Sequence, residues 1–447
     1  MEFTNKKALV VGLGRSGVAA ARFLQERGAV VTASDAKKQT LELPGIKVQT
    51  GTAQWTDLEK QDLVVISPGV PVQTLELERA RLLGIPVIGE VELASRYLKG
   101  KMLAITGSNG KTTTTTLAGK ILADGGLATQ VGGNIGTPVM DLVGTSTPDT
   151  WNVLEISSFQ LETAVEFHPE IAVILNITPD HLDRHGSFVQ YAHEKEKIFA
   201  QQTASDFLVL NADDKATQMA AGRAKPQVFW FSGSRPQIKR GTFVHQNVIV
   251  FVPQEGAAME PVLPLVEIPL KGAHNVENVL AAVCAARLAG VSAESIRESV
   301  KNFQAVEHRL QFVAKVKGVE YYNDSKATNV DATMKALASF AGGIHLILGG
   351  KDKDSDYTLL APLIRERGKA VYTIGSAAEK ITRQLAGVSK IVTAETLEKA
   401  VSLASAAAQP GEIVLLAPAC ASFDQFENYG HRGRVFVQQV QKLQEVK

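Results

Sequence analysis

Residues 102–116 read MLAITGSNGKTTTTT. An apolar run, Met102 to Ile105, stops at a Gly-rich turn, and Lys111-Thr112-Thr113 then opens a run of hydroxyl residues. That is the order strand, phosphate loop, helix N-terminus. Backbone N–H groups around Gly107, Asn109 and Gly110 can surround a phosphate, helped by the positive end of the helix dipole. Lys111 would reach the β/γ-phosphates and the Thr112 hydroxyl would sit on Mg²⁺. Gly107 lies only three residues before Gly110, so the loop is shorter than the usual G-x-x-x-x-G-K-[ST]. A short Gly turn followed by Lys can be no more than a capped helix; the strand before it and the hydroxyl run after it favour an ATP site.

Outward from that loop the chain alternates strands and helices. Towards the N-terminus, Lys7 to Gly12 reads as a buried strand, Val18 to Arg27 as an amphipathic helix, and Ala29 to Ser34 and Leu63 to Ser67 as further strands. The first turn, Gly12-Leu13-Gly14-Arg15-Ser16-Gly17, matches G-x-G-x-x-G, with Asp35 following the second strand. The glycines allow a tight turn and close approach to a pyrophosphate, and the acid suits a ribose hydroxyl. Diphosphate binding does not specify nicotinamide, because a nucleotide sugar offers the same pyrophosphate.

Beyond the phosphate loop, Trp151 to Ser157 is a buried strand with Glu155 near its carboxyl end. Ile171 to Thr178 is another, running into Asp180-His181-Leu182-Asp183-Arg184-His185, and Phe207 to Asn211 is a third. Carboxyl ends of parallel strands line the ligand crevice, which aims Glu155 and His181 at the loop. A Glu on a buried strand is costly unless paired or metal-bound. For His181 a core or capping role competes, and Asp183 to His185 could be a solvated turn. Tyr191 to Ala200 has helical spacing, and its pattern reads Lys195 and Lys197 as a solvated face. Residues 221–268 look β-rich, and Val276 to Ala289 reads as a long helix with Asn275 as a possible cap and Asn278 one turn in.

From about 305 onwards alternation resumes. Three strands end in polar clusters: Asn323 to Asn329, Gly349 to Lys353, and Pro418 to Phe426. Such clusters in series suggest a polar substrate site.

Composition sets outer limits. The 447 residues suggest about three domains, with 21% charged residues and a net charge of +1. That balance argues against nucleic acid and anionic membranes as partners. Cys284 and Cys420, the only cysteines, leave no disulfide framework and no Cys-rich metal site. Lys6-Lys7 precedes an apolar run, but Arg15-Ser16-Gly17 breaks it, so no secretory leader is read there. A cytoplasmic protein without membrane insertion is expected, as a monomer.

Together, Gly107 to Thr112, Glu155 to Leu161, Asp180-His181, His274-Asn275 with Asn278, and His308-Arg309 resemble the Mur ligases, ATP-dependent amino-acid-adding enzymes of peptidoglycan synthesis. The resemblance covers the whole chain in order. It implies an α/β protein of three domains: a Rossmann-like UDP-substrate domain (1–94), a central P-loop ATPase-type parallel sheet (95–304) and a Rossmann-like amino-acid domain (305–447). The segments at Ser157 to Glu162, Asn323 to Asn329 and Ala419 to Phe426 point to the branch that adds D-glutamate to UDP-N-acetylmuramoyl-L-alanine through an acyl phosphate. Closure of the last domain on ATP binding is expected with it.

Residue roles follow from the same resemblance. Gly107, Ser108, Asn109, Gly110, Lys111, Thr112, Thr113, Asn278, Arg309 and Asp324 are expected at ATP. Thr112, Glu155, His181 and Lys195 are expected at two Mg²⁺ ions, with Lys195 carrying a CO₂-derived carbamate. Lys111, Glu155, His181 and Lys195 form the expected catalytic set. Arg15, Ser16, Asp35, Ser67, Pro68, Gly69, Asn134 and His181 would meet the UDP-substrate, and Thr328, Lys353, Ser422, Phe423 and Tyr429 D-glutamate. Three other readings compete: a nicotinamide oxidoreductase built on Gly12 to Gly17, a non-catalytic nucleotide-sugar sensor, and a folate-polyglutamating ligase.

Overall fold

The computed structural model describes residues 3–55, 57–235, 237–304 and 307–445. Three sheets account for its strands. The first contains β1 (Lys7–Val11), β2 (Val30–Asp35), β3 (Lys47–Thr50), β4 (Leu63–Ile66) and β5 (Val87–Gly89), in the order β3-β2-β1-β4-β5. All pairings are parallel. After Lys7 every residue of β1 is buried, as expected for a strand covered on both faces.

The second sheet holds β6 (Lys101–Thr106), β7 (Thr129–Gly133), β8 (Trp151–Glu155), β9 (Ile171–Ile174), β10 (Phe207–Asn211), β11 (Gln227–Ser232), β12 (Gly241–His245), β13 (Val248–Val252) and β14 (Glu260–Pro264). Their order is β14-β13-β12-β11-β10-β9-β6-β8-β7. The register places Ile105 opposite Glu155 and Thr106 opposite Ile174, so the carboxyl ends of β8 and β9 flank the turn after β6. Antiparallel pairing is confined to β12–β13–β14, the β-rich excursion expected over 221–268.

The third sheet comprises β15 (Gln311–Val316), β16 (Val319–Asn323), β17 (Ile344–Gly349), β18 (Gly368–Ile374), β19 (Lys390–Glu395) and β20 (Ile413–Leu416), in the order β15-β16-β20-β17-β18-β19. Only β15 is antiparallel. Because β20 lies between β16 and β17 and parallel to both, the three polar strand ends read from sequence are adjacent.

Contacts gather the chain into two compact units: Met1–Glu267 with Glu277–Lys301, and Ile268–Val276 with Asn302–Lys447. The first unit holds the first two sheets and the second holds the third.

Several element limits differ from the sequence reading for local reasons. β8 stops at Glu155, because Ser157 caps the short helix Ser158–Leu161 in a reciprocal capping box with Gln160. β9 stops at Ile174, since Asn176 turns its side chain onto the phosphate loop. The first helix begins at Arg15, inside the Gly12–Gly17 motif, with Gly14 at its N-cap position. Asn275 is not a cap. The helix Ala273–Leu288 has already begun there, and the Asn275 side chain donates back to the Lys271 carbonyl.

Candidate active site

The phosphate loop joins β6 to the helix Lys111–Asp124. Gly110 has φ +88°, and a Cβ there would collide with the Asn278 amide oxygen, so only glycine fits this turn. The loop is pinned to the chain after β9. Asn109 N–H donates to Asn176 Oδ1 (2.9 Å), Asn176 Nδ2 donates to Asn109 O (3.1 Å), and Ser108 Oγ donates to Thr178 O (2.9 Å). Tyr191 OH lies 3.0 Å from the same Ser108 hydroxyl. Neither Asn176 nor Tyr191 stood out in the sequence; their polar atoms on otherwise apolar, buried positions were the available signal.

Two lysines converge here. Lys111 Nζ donates to the carbonyls of Gly107 (2.8 Å) and Ser108 (2.9 Å), and Lys195 Nζ donates to the same Gly107 carbonyl (2.9 Å). Lys195 is 1% exposed, which overturns its reading as part of a solvated lysine face. The helical pattern misled because Tyr191, Glu194, Lys195 and Glu196 are the buried residues of the helix Phe188–Glu196. Burial, then the neighbouring Lys111 cation, holds the Lys195 ammonium well below its ordinary pKa.

Glu155 is buried at the end of β8 and is held by one residue twice. Asn134 N–H donates to its carbonyl (2.8 Å) and Asn134 Nδ2 to its Oε1 (2.8 Å). Asn134, expected at the UDP-substrate, therefore also fixes a metal-ligand candidate. Thr112 and Thr113 are buried in the first helical turn. His181 has left-handed backbone (φ 53°) at the N-cap position of the helix Leu182–His185, without a side-chain capping bond, and its ring is 4.9 Å from Phe159.

The turn after it is only partly solvated: Asp183 is exposed, Arg184 is half-buried and His185 is buried. Arg184 makes a two-point ion pair with Glu162 (2.5 and 3.2 Å) and donates to Val70 O. Buried His185 lies 3.1 Å from Ser158 Oγ, its pKa pushed down by desolvation.

Among the described residues no group of three or more His, Cys, Asp or Glu side chains could by itself hold a metal. Mg²⁺ uses one or two protein oxygens together with phosphate oxygens and water. A threonine hydroxyl and one carboxylate beside a phosphate loop fit that demand.

Beside the first sheet a cavity of about 780 Å³ is lined by Gly12, Gly14, Arg15, Ser16, Asp35, Ser67, Pro68 and Gly69, with Trp55 in its wall. Asp35 braces the glycine turn, accepting from Leu13 N (2.6 Å) and Lys37 N (2.8 Å), and Ser67 Oγ donates to Gly12 O (2.6 Å). All the residues read as UDP-substrate contacts on this sheet thus share one cavity. A larger one, about 1070 Å³ against Trp230, Phe243 and Met259, contains none of the residues read as functional.

In the second unit Asp324 follows β16. Leu310 N–H donates to it (3.1 Å), and burial raises its carboxyl to about 6. Burial and the cations of Lys335 and Arg309 push His274 down to about 4. Thr328, Lys353, Ser422 and Phe423 lie on the loops after β16, β17 and β20, and Tyr429 begins the helix Tyr429–Glu445. Ser422 is buried, whereas Lys353, Phe423 and Tyr429 are exposed. Both cysteines are buried, with Cys420 Sγ 2.9 Å from the Tyr357 hydroxyl.

One residue beside these loops escaped the sequence reading. Arg432 is 0% exposed and shares its helix face with buried Phe436 and Val440. A cation at a core-spaced position was the signal.

Family models match the chain in three consecutive parts: the Mur ligase MurD-like N-terminal domain at residues 6–89, the Mur ligase middle domain at 105–286, and the Mur ligase glutamate ligase domain at 308–420. A UDP-N-acetylmuramoylalanine–D-glutamate ligase of Acidobacterium capsulatum is 63% identical, over 98% of this chain and 96% of its own. The enzyme so named from Koribacter versatilis is 57% identical over 100% and 99%. Among solved structures, a pseudomurein peptide ligase type C from Methanothermus fervidus superposes with TM-score 0.63 at 20% identity, covering 98% of this chain and 100% of that one. The UDP-N-acetylmuramate-alanine ligase MurC of Thermotoga maritima gives 0.62 at 20% identity, over 98% and 99%. These two share the three-domain α/β fold. The chain belongs to the Mur ligase family.

Proposed function

We propose that this protein is an ATP-dependent ligase that joins D-glutamate to UDP-N-acetylmuramoyl-L-alanine in peptidoglycan synthesis, acting as a cytoplasmic monomer. The observation that carries the reading is the 63% identity, sustained over 98% of the chain, to a ligase named for that reaction. Among the described residues no helix is long and apolar enough to cross a membrane, which suits soluble substrates.

The chemistry needs activation because a carboxylate is a poor electrophile. Transfer of the ATP γ-phosphoryl to the carboxylate of the L-alanyl group gives an acyl phosphate and ADP. The D-glutamate amine then attacks, the amide forms and phosphate leaves. The protein's part is mostly positioning and charge neutralisation. Lys111 neutralises phosphoryl charge from the loop that its own backbone shapes. Thr112 and Glu155 would hold one Mg²⁺, and His181 with Lys195 a second. Mg²⁺, when bound, neutralises phosphate oxygens.

Lys195 can serve as a ligand only after modification, since an ammonium repels cations. Its depressed pKa supports a neutral amine that adds to CO₂. The N–C bond forms, a proton leaves to solvent, and the product is an anionic carbamate. Asn278, Arg309 and Asp324 are read as nucleotide contacts, the cavity around Gly12 and Asp35 as the UDP site, and Thr328, Lys353, Ser422, Phe423 and Tyr429 as the D-glutamate site. Domain limits at residues 94 and 304 belong to the same reading.

Phosphate release measured with UDP-N-acetylmuramoyl-L-alanine, ATP and a panel of amino acids tests it. D-Glutamate should drive release well above every other acceptor. A different preferred acceptor, or none, contradicts the assignment.

A further inference from the structure

The loops after β16, β17 and β20 meet around one side chain that no role above employs. Arg432 Nε donates to Ser325 Oγ (3.0 Å) and its Nη2 to Ser325 O (2.8 Å). Towards the third loop, Nη1 donates to the carbonyls of Cys420 (3.2 Å) and Ala421 (3.3 Å), and Nη2 to Cys420 O (3.1 Å). The middle loop closes against the same group. Gly350 has φ +134°, and a Cβ there would collide with Ala421 O and come within 3.1 Å of Arg432 Nη1. Lys351 and Ala421 also exchange backbone hydrogen bonds (2.8 and 3.1 Å).

Among the described residues no carboxylate forms an ion pair with Arg432. A buried guanidinium is costly unless its donors are satisfied. Here backbone carbonyls and one hydroxyl satisfy them, and the rigid planar fork reaches two loops at once, which a lysine could not do. The helix Tyr429–Glu445 that carries it is also tied in, because Ser325 Oγ donates to Tyr429 O (2.8 Å).

We infer that Arg432 is a positioning residue for the acceptor amino acid: it locks the loops bearing Thr328, Ser422 and Phe423 into one geometry, and the Lys353 loop is held to them through the Lys351–Ala421 backbone pair. The inference rests on the reading of those loops as the D-glutamate site. Substrate contact is not assigned to Arg432; it acts through the residues it fixes. Loss of the fork should therefore weaken acceptor binding without altering the nucleotide or UDP-substrate requirement.

The test is steady-state phosphate release by the full-length native protein and by Arg432→Lys and Ser325→Ala, varying each substrate in turn. Lys keeps the charge, so this variant probes the fork. Ser325→Ala removes one hydroxyl partner and keeps every carbonyl. The KM for D-glutamate should rise about tenfold or more in Arg432→Lys and about threefold in Ser325→Ala, in line with losing charge-assisted hydrogen bonds. The KM values for ATP and UDP-N-acetylmuramoyl-L-alanine should stay within about twofold of native, a split that general loosening does not produce. If Arg432→Lys does not fold, Ser325→Ala decides alone. An unchanged D-glutamate KM, or an equal rise in all three, overturns the inference while leaving the functional reading intact. Native protein that releases no phosphate with D-glutamate overturns both.

Discussion

Lys195 shows how far a single residue departs from its sequence pattern. Four consecutive charged or polar positions, His193 to Glu196, look solvent-facing, yet burial leaves Lys195 sharing a carbonyl with Lys111. Burial beside the Lys111 cation disfavours a second positive charge on Lys195, at the site where phosphate charge is expected. Lys111→Ala should abolish ADP formation while leaving UDP-substrate affinity within about twofold, since the first-sheet cavity is separate from the loop. Isothermal titration beside an ADP assay checks both halves, and native ADP output by the variant would remove Lys111 from the chemistry. Lys195→Ala should be inactive and partly rescued by millimolar formate or acetate, either of which can replace a carbamate oxygen. Absence of rescue across a concentration series contradicts the modified lysine.

At the scale of elements, Glu90 links two short helices, Glu90–Ser95 and Val139–Leu142. Its Oε1 accepts from Met140 N–H (2.6 Å), while its buried Oε2 has no hydrogen-bond partner among the described residues. Desolvation raises its carboxyl from 4.5 to about 7. A folded-state pKa above the unfolded one means that the native state binds more protons between those values. Stability therefore falls as pH rises from about 4.5 to about 7 and is level above that, by up to about 3 kcal/mol. Glu90→Gln keeps an acceptor for Met140 and cannot ionise. Urea unfolding at pH 5 and pH 8 should show the native protein losing stability over that interval and the variant losing much less. Equal losses would place the pH dependence elsewhere.

The same scale shows what the sequence made legible. Buried strands such as β6 and β10 announce themselves by continuous apolar runs, and the glycine turns by spacing alone. Glu155 and His181 read as site candidates because strand ends in a parallel sheet face one edge. Asn176, Tyr191 and Arg432 were missed because their importance lies in partners far away in the chain, which no local period encodes. Asn275 differs from its reading as a cap for a similar reason: its helix begins at Ala273, three residues before the apolar pattern that starts at Val276.

For the whole molecule, three sheets were readable from alternating elements, but the grouping of the chain was not. Residues Ile268–Val276 belong to the second compact unit, where Lys271 meets the Tyr322 hydroxyl and the Phe340 ring. Nothing in the local sequence distinguishes that segment from its neighbours. As a monomer the protein should sediment with a mass near 47.9 kDa in the presence or absence of substrates; twice that mass would contradict the monomer.

Phosphoryl transfer to the L-alanyl carboxylate at the Gly107–Thr112 loop is the central claim, and trapping its product addresses it most directly. Full-length protein is given Mg²⁺-ATP and UDP-N-acetylmuramoyl-L-alanine without D-glutamate, then quenched with borohydride. The reduced alcohol at the former alanyl carboxyl should be recovered, in amounts that Lys111→Ala lowers to background. Amide formation on later addition of D-glutamate, with no such alcohol ever recovered from parallel samples, would contradict it.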